Sequence, residues 1–205
     1  MTERIENSIT TDIEGFPRLT VDEYAQRFDG QSVEIINGEI RILPGNMLGH
    51  QEIARNFYNA LLFFLATHPL GIVYYETVFV LPDTSNWVLG SRIPDVSFYE
   101  QARMDVNRQV VPNWRARPCV LVPDLVIEVV SPGDDLWDVF EKARLYLVDG
   151  VQVVWVAIPA KTGETHEVYV YEADGEVPTI IGMRGTLTCE SLLPGFALPV
   201  AEIFA

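Results

Sequence analysis

The chain has 205 residues, 48% of them hydrophobic, which is enough to bury a full core and excludes a disordered polypeptide; one domain is expected. No window approaches the roughly 18 uninterrupted apolar residues of a membrane span, and MTERIENSITTDIEG lacks the apolar stretch of a secretory leader, so a cytoplasmic location is expected. The 14 basic residues face 29 acidic ones, and the resulting net charge of -15 opposes long-range attraction to nucleic acid.

Residues 1–17 carry turn-formers without periodicity and read as a flexible arm before a single domain over residues 18–205. In LTVDEYAQRF, Thr20 and Glu23 have the spacing of a capping box and start a short helix. SVEIINGEIRIL then has alternating apolar residues on both sides of Asn37-Gly38, the mark of a two-residue hairpin turn. That register sets Val33 opposite Ile42, Glu34 opposite Arg41 and Ile35 opposite Ile40.

GHQEIARNFYNALLFFLATHP has helical spacing through Ile53, Phe57, Leu61 and Leu65, with apolar residues on nearly every face near its end, and predicts a largely buried helix. IVYYETVFVL and PDVSFYE read as strands separated by a polar loop around residues 82–86, and residues 101–117 read as irregular. DLVIEVV, the helical DDLWDVFEKARLYLVD ending at Gly150, and VQVVWVAI together form a βαβ unit, which requires parallel strands. A hairpin turning at Asp174-Gly175 follows, and LLPGFALPVAEIF closes the chain. Cys119 and Cys189 lack metal-ligand spacing and read as buried thiols.

The apolar strand in PDLVIEVVS carries a carboxylate, Glu128, whose burial demands compensation. Asp124 lies on the same strand face but roughly 13 Å away, too far to share one ion, so a partner must come from another strand. Asp95, in PDVSFYE, supplies it if the two strands are neighbours. Two converging carboxylates suit Mg²⁺, or Mn²⁺, which keep part of their water shell. A nearby ammonium would complete a phosphodiester-cleaving site. Position 130, on the Glu128 face, is valine; of the only two lysines, Lys161 sits in the turn-like PAKTGE, which leaves Lys142 on the following helix.

The segments VDEYAQRFDGQSVEIINGEIRILPG, IPDVSFYE, PDLVIEVVSP, EKARLYLVDGVQVVWVAIP and LLPGFALPVAEIF resemble the Uma-type family of proposed bacterial endonucleases, with the restriction-endonuclease-like fold and its PD-(D/E)-x-K motif. The resemblance covers most of residues 18–204. It implies an α/β fold, a mixed sheet flanked by helices with added N-terminal and C-terminal hairpins. It makes Asp95 and Glu128 the metal-binding acids and Lys142 a motif lysine displaced from strand to helix. Glu34 and His50 match family positions near the site. A nucleic-acid substrate, DNA ahead of RNA, and a homodimer able to cut both strands are also implied.

Simpler roles stand beside these. Glu34 could pair with Arg41 across the hairpin, Lys142 with Asp138 one helical turn earlier, and His50 could cap its helix. Arg92, Arg103, Arg108, Arg115 and Arg117 could contact phosphates or be scattered solvated charges. The charge of -15 and Val130 favour the competing reading, a catalytically silent interaction or assembly module.

Overall fold

The computed structural model describes residues 18–160 and 165–205; the readings for the N-terminal arm and for Lys161 lie outside the described residues. The first helix, α1 (Val21–Arg27), starts where the capping box requires: Thr20 Oγ1 accepts from Glu23 N, and Glu23 Oε2 accepts from Thr20 N at 2.8 Å. Strands β1 (Val33–Ile36) and β2 (Glu39–Ile42) pair in the expected register, Val33 to Ile42 and Glu34 to Arg41, around Asn37 and Gly38 at φ 50° and 84°. Both positive angles are what a type I′ turn needs. All four β1 residues are buried, Glu34 among them, while β2 is exposed along its length.

Helix α2 (Leu48–Thr67) buries His50, Ile53, Ala54, Phe57, Leu61 and Leu65, a single stripe at helical spacing. Its outer face corrects the expectation of a largely buried helix: Leu62 and Phe63 are exposed. The segment read as one strand is two, β3 (Gly71–Tyr75) and β4 (Phe79–Pro82), which join different sheets. The chain breaks at Glu76, held at φ 45° with its N–H donating to the Asp95 carbonyl at 3.0 Å. Strand β5 (Val88–Arg92) was not anticipated because Gly90 and Ser91 interrupt its apolar pattern.

After β6 (Val96–Glu100) comes α3 (Gln101–Val110), where the sequence suggested irregular chain. This helix buries only Met104 and Asn107, too little for an amphipathic stripe to be seen. The βαβ unit is as expected: β7 (Leu125–Val129), α4 (Leu136–Asp149) and β8 (Val153–Ile158), with β7 and β8 parallel. Asp135 caps α4 by accepting from Trp137 N, and Gly150 at φ 107° ends it in a left-handed conformation open to glycine. Strands β9 (Glu167–Glu172) and β10 (Thr179–Gly182) form the next hairpin, turning near Gly175, and β11 (Thr186–Cys189), β12 (Leu193–Pro199) and α5 (Val200–Ile203) finish the chain.

Six strands make the central mixed sheet in the order β10-β9-β8-β7-β6-β3, and β2-β1-β5-β4 make a second sheet. Leu125, Ile127 and Val129 of β7 pack with α2, whereas Val126 and Val130 pack with Ala143 and Tyr146 of α4. Strand alternation therefore turns Glu128 toward α4. At the far edge, a Cβ added to Gly71 would overlap the Tyr99 carbonyl oxygen and the Phe98 ring. Gly71→Ala is expected to cost about 1–3 kcal/mol in urea unfolding; an unchanged midpoint would show that β3 can shift freely.

Candidate active site

Strands β6 and β7 are antiparallel with Val96 opposite Ile127, so one further step of the ladder sets Asp95 opposite Glu128. Directly opposed residues on such a pair project to one side with Cβ atoms about 5 Å apart. Asp95 is fixed at this end of the ladder because its Oδ2 accepts from Val129 N at 2.7 Å. Both acids are nearly buried, at 7% and 8% exposure. Burial, and then the charge of Glu128, push the Asp95 carboxyl well above its ordinary range. Burial raises Glu128 as well, against the opposing pull of Lys142.

Lys142 approaches from α4 and lies 3.1 Å from Glu128 Oε1 and 3.0 Å from Glu34 Oε1. Glu34 also accepts from Ile93 N at 2.8 Å, so its carboxylate is tied to both the second sheet and the helix. The simpler roles for these two residues give way: Arg41 pairs with the exposed Glu39, and Lys142 bridges the two buried acids. Burial alone would lower the Lys142 pKa, but the charges of Glu128 and Glu34 outweigh it and leave the ammonium more basic than an ordinary lysine. At neutral pH it is a fixed positive charge.

His50, in the first turn of α2, places Nε2 3.0 Å from Asp95 Oδ1. That approach lacks the angle of a hydrogen bond, and neither ring nitrogen of this buried side chain has a hydrogen-bond partner. Burial lowers the His50 pKa, against the pull of Asp134 and Glu76, so the neutral ring is favoured. The five residues singled out in the sequence, Glu34, His50, Asp95, Glu128 and Lys142, thus form one continuous group.

Sequence reasoning missed Tyr146, whose buried hydroxyl donates to Glu128 Oε1 at 2.5 Å. Its signal was available: it follows Lys142 by four residues and shares its helix face. Glu76 was also missed, because nothing in YYETVF distinguishes it from a mid-strand residue. Asn46 and Gln51 hold its carboxylate with bonds of 2.8 and 2.7 Å.

Asp124 lies at the opposite end of β7, fully buried, and accepts from Arg103, Gln152 and Glu100 N, as a structural acid does. The arginines do not make a free phosphate-contacting face. Arg92 is buried against Asp149 and the Ile35 carbonyl, Arg103 binds Asp124, Arg117 binds Asp22, and Arg108 and Arg115 lie at the Trp114 ring.

Among the described residues, no group of three or more His, Cys, Asp and Glu side chains is arranged to hold a metal ion. The donors present still suit a hard ion that keeps several waters. Tyr146 and Lys142 both engage Glu128 through Oε1, and Val129 engages Asp95 through Oδ2. Asp95 Oδ1 and an unpartnered imidazole remain beside two acids that burial makes costly to ionise.

The mixed sheet and its flanking helices make a restriction-endonuclease-like fold, in which Asp95 and Glu128 stand opposite each other and a helix brings Lys142 to the second acid. The sequence matches the Uma2 family model, described as "Putative restriction endonuclease", over residues 20–201, and the chain belongs to that family. Its fold is similar to that of a "putative nuclease belonging to DUF820" from Anabaena variabilis, with a TM-score of 0.70 and 19% identity over 91% of this chain and 97% of that one. No curated protein shows a significant sequence match. Among the described residues, no helix is long and apolar enough to cross a membrane.

Proposed function

We propose that the protein is a metal-dependent endonuclease that hydrolyses phosphodiester bonds, with duplex DNA ahead of RNA as substrate. The observation that carries this reading is the Lys142 ammonium held 3.1 Å from Glu128 while Asp95 faces the same acid across the β6–β7 ladder. Asp95 and Glu128 are the residues that would hold Mg²⁺ or Mn²⁺, directly or through water. Such an ion supplies charge neutralisation at the phosphate and a more acidic water.

The remaining work falls to the chain. Lys142 stays protonated at neutral pH, so it acts as a positive charge and hydrogen-bond donor toward the phosphate oxygens rather than as a base. Glu34 holds the ammonium in place from the second sheet. Tyr146 fixes the Glu128 rotamer by donating to Oε1. The neutral His50 ring keeps one nitrogen lone pair beside Asp95.

The net charge of -15 predicts weak non-specific affinity for nucleic acid, so binding would depend on the site rather than on a basic surface. A homodimer would supply the two centres needed to cut both strands. The test is incubation of plasmid DNA and of RNA at low salt with Mg²⁺ or Mn²⁺, with and without a chelator. Cleavage that the chelator abolishes is expected. Intact nucleic acid in the presence of bound metal would leave a silent nuclease fold.

A further inference from the structure

The buried His50 ring poses a problem that its place beside Asp95 alone does not solve. Its position is 7% exposed, yet neither nitrogen has a hydrogen-bond partner. A buried polar atom without a partner destabilises the fold unless something else satisfies it. Asp95 does not do so, because Nε2 stands 3.0 Å from Oδ1 at an angle unsuited to a hydrogen bond.

Two donor atoms at that separation match another arrangement. Around an octahedral ion with bonds of about 2.1 Å, neighbouring ligand atoms are about 3.0 Å apart. The surroundings also favour a cation. Glu76 and Asp134 both act on the ring as negative charges, and Glu76 is held in a left-handed conformation by its N–H bond to the Asp95 carbonyl.

We propose that His50 Nε2 and Asp95 Oδ1 are adjacent ligands of one divalent cation, and that the imidazole makes the centre prefer Mn²⁺ to Mg²⁺. The inference rests on the metal-dependent reading above. An imidazole nitrogen is a poor match for Mg²⁺, which takes oxygen ligands, whereas first-row transition ions accept mixed nitrogen and oxygen sets. No three side chains among the described residues are pre-set around one point, so water would fill the remaining positions of the ion.

Calorimetric titration of the full chain with Mn²⁺ and with Mg²⁺ tests this, using wild type, His50→Gln and His50→Phe, each first shown to fold by its melting curve. Wild type is expected to bind Mn²⁺ more tightly than Mg²⁺. His50→Gln replaces the nitrogen by an amide oxygen and should weaken Mn²⁺ by about 10–100-fold while largely sparing Mg²⁺. His50→Phe should weaken both ions. Pulsed electron paramagnetic resonance of the Mn²⁺-loaded protein should show nitrogen hyperfine coupling that is lost in His50→Gln. Binding of Mn²⁺ without that coupling, and with an unchanged ion preference in His50→Gln, overturns the imidazole ligand and leaves the metal reading standing. Failure of wild type to bind either ion overturns both.

Discussion

Lys142→Met is expected to eliminate the proposed metal-dependent cleavage and to lower the unfolding free energy by about 3–5 kcal/mol, the cost of leaving buried charges without their partner. The methionine stem fills similar space, so the loss is electrostatic. Glu34 and Glu128 each keep an oxygen about 3 Å from where the ammonium stood, and neither is open to water. Because the folded-state pKa of Lys142 is raised above its ordinary 10.5, its contribution is complete below that value and is lost only as pH rises through the higher one. The full effect is therefore present at neutral pH. Urea unfolding measures the stability, and the double variant Glu34→Gln/Lys142→Met should regain part of it while remaining inactive. A single variant that cuts DNA at the wild-type rate would remove the lysine from the mechanism.

Asp95→Asn acts in the opposite direction on stability. Without metal it should raise the unfolding free energy by about 1–2 kcal/mol, because a buried acid that is costly to ionise is removed. The corresponding rise in melting temperature is about 2–8 °C for a chain of this size. The cause is the burial of Asp95 and its opposition to Glu128, which make the ionised form costly in the folded chain. An acid with a raised folded-state pKa contributes most below its unfolded value and progressively less as pH rises through the folded one. The advantage of asparagine is therefore greatest at neutral pH and disappears as pH falls below the ordinary 3.8. Metal at about 100 times its dissociation constant should stabilise wild type by about 2.7 kcal/mol and the variant far less. An equal metal-induced shift in both proteins would place the ion elsewhere.

The parts of the molecule legible in the sequence are those set by local chemistry. Thr20 and Glu23 cap α1, Asn37-Gly38 fixes the β1–β2 register, and the apolar β7 and β8 runs flank a capped helix. Asp95 and Glu128 were also legible, because a carboxylate inside an apolar strand needs a partner and the neighbouring strand offered one. What could not be read depended on distant contacts. The β3–β4 break comes from Glu76 meeting the Asp95 backbone, and β5 owes its place to pairing on both sides, with β1 and β4.

Position 130 shows the same limit from another direction. Valine there departs from the motif, but Val130 is buried with Ala143 and Tyr146 between β7 and α4. The strand thus offers a hydrocarbon where the motif has an amine, and the ammonium that meets Glu128 comes from the helix packed over it. The same covering layer explains Glu34: its neighbour on the hairpin was readable, whereas the lysine that reaches it lies 108 residues later in the chain.

One ammonium clasps an acid from each of the two sheets. The cluster is therefore a property of the assembled molecule and of neither sheet alone. A chain still emerging from the ribosome carries Glu34 and Asp95 well before Lys142, so the cluster cannot assemble until the last of its members has been made.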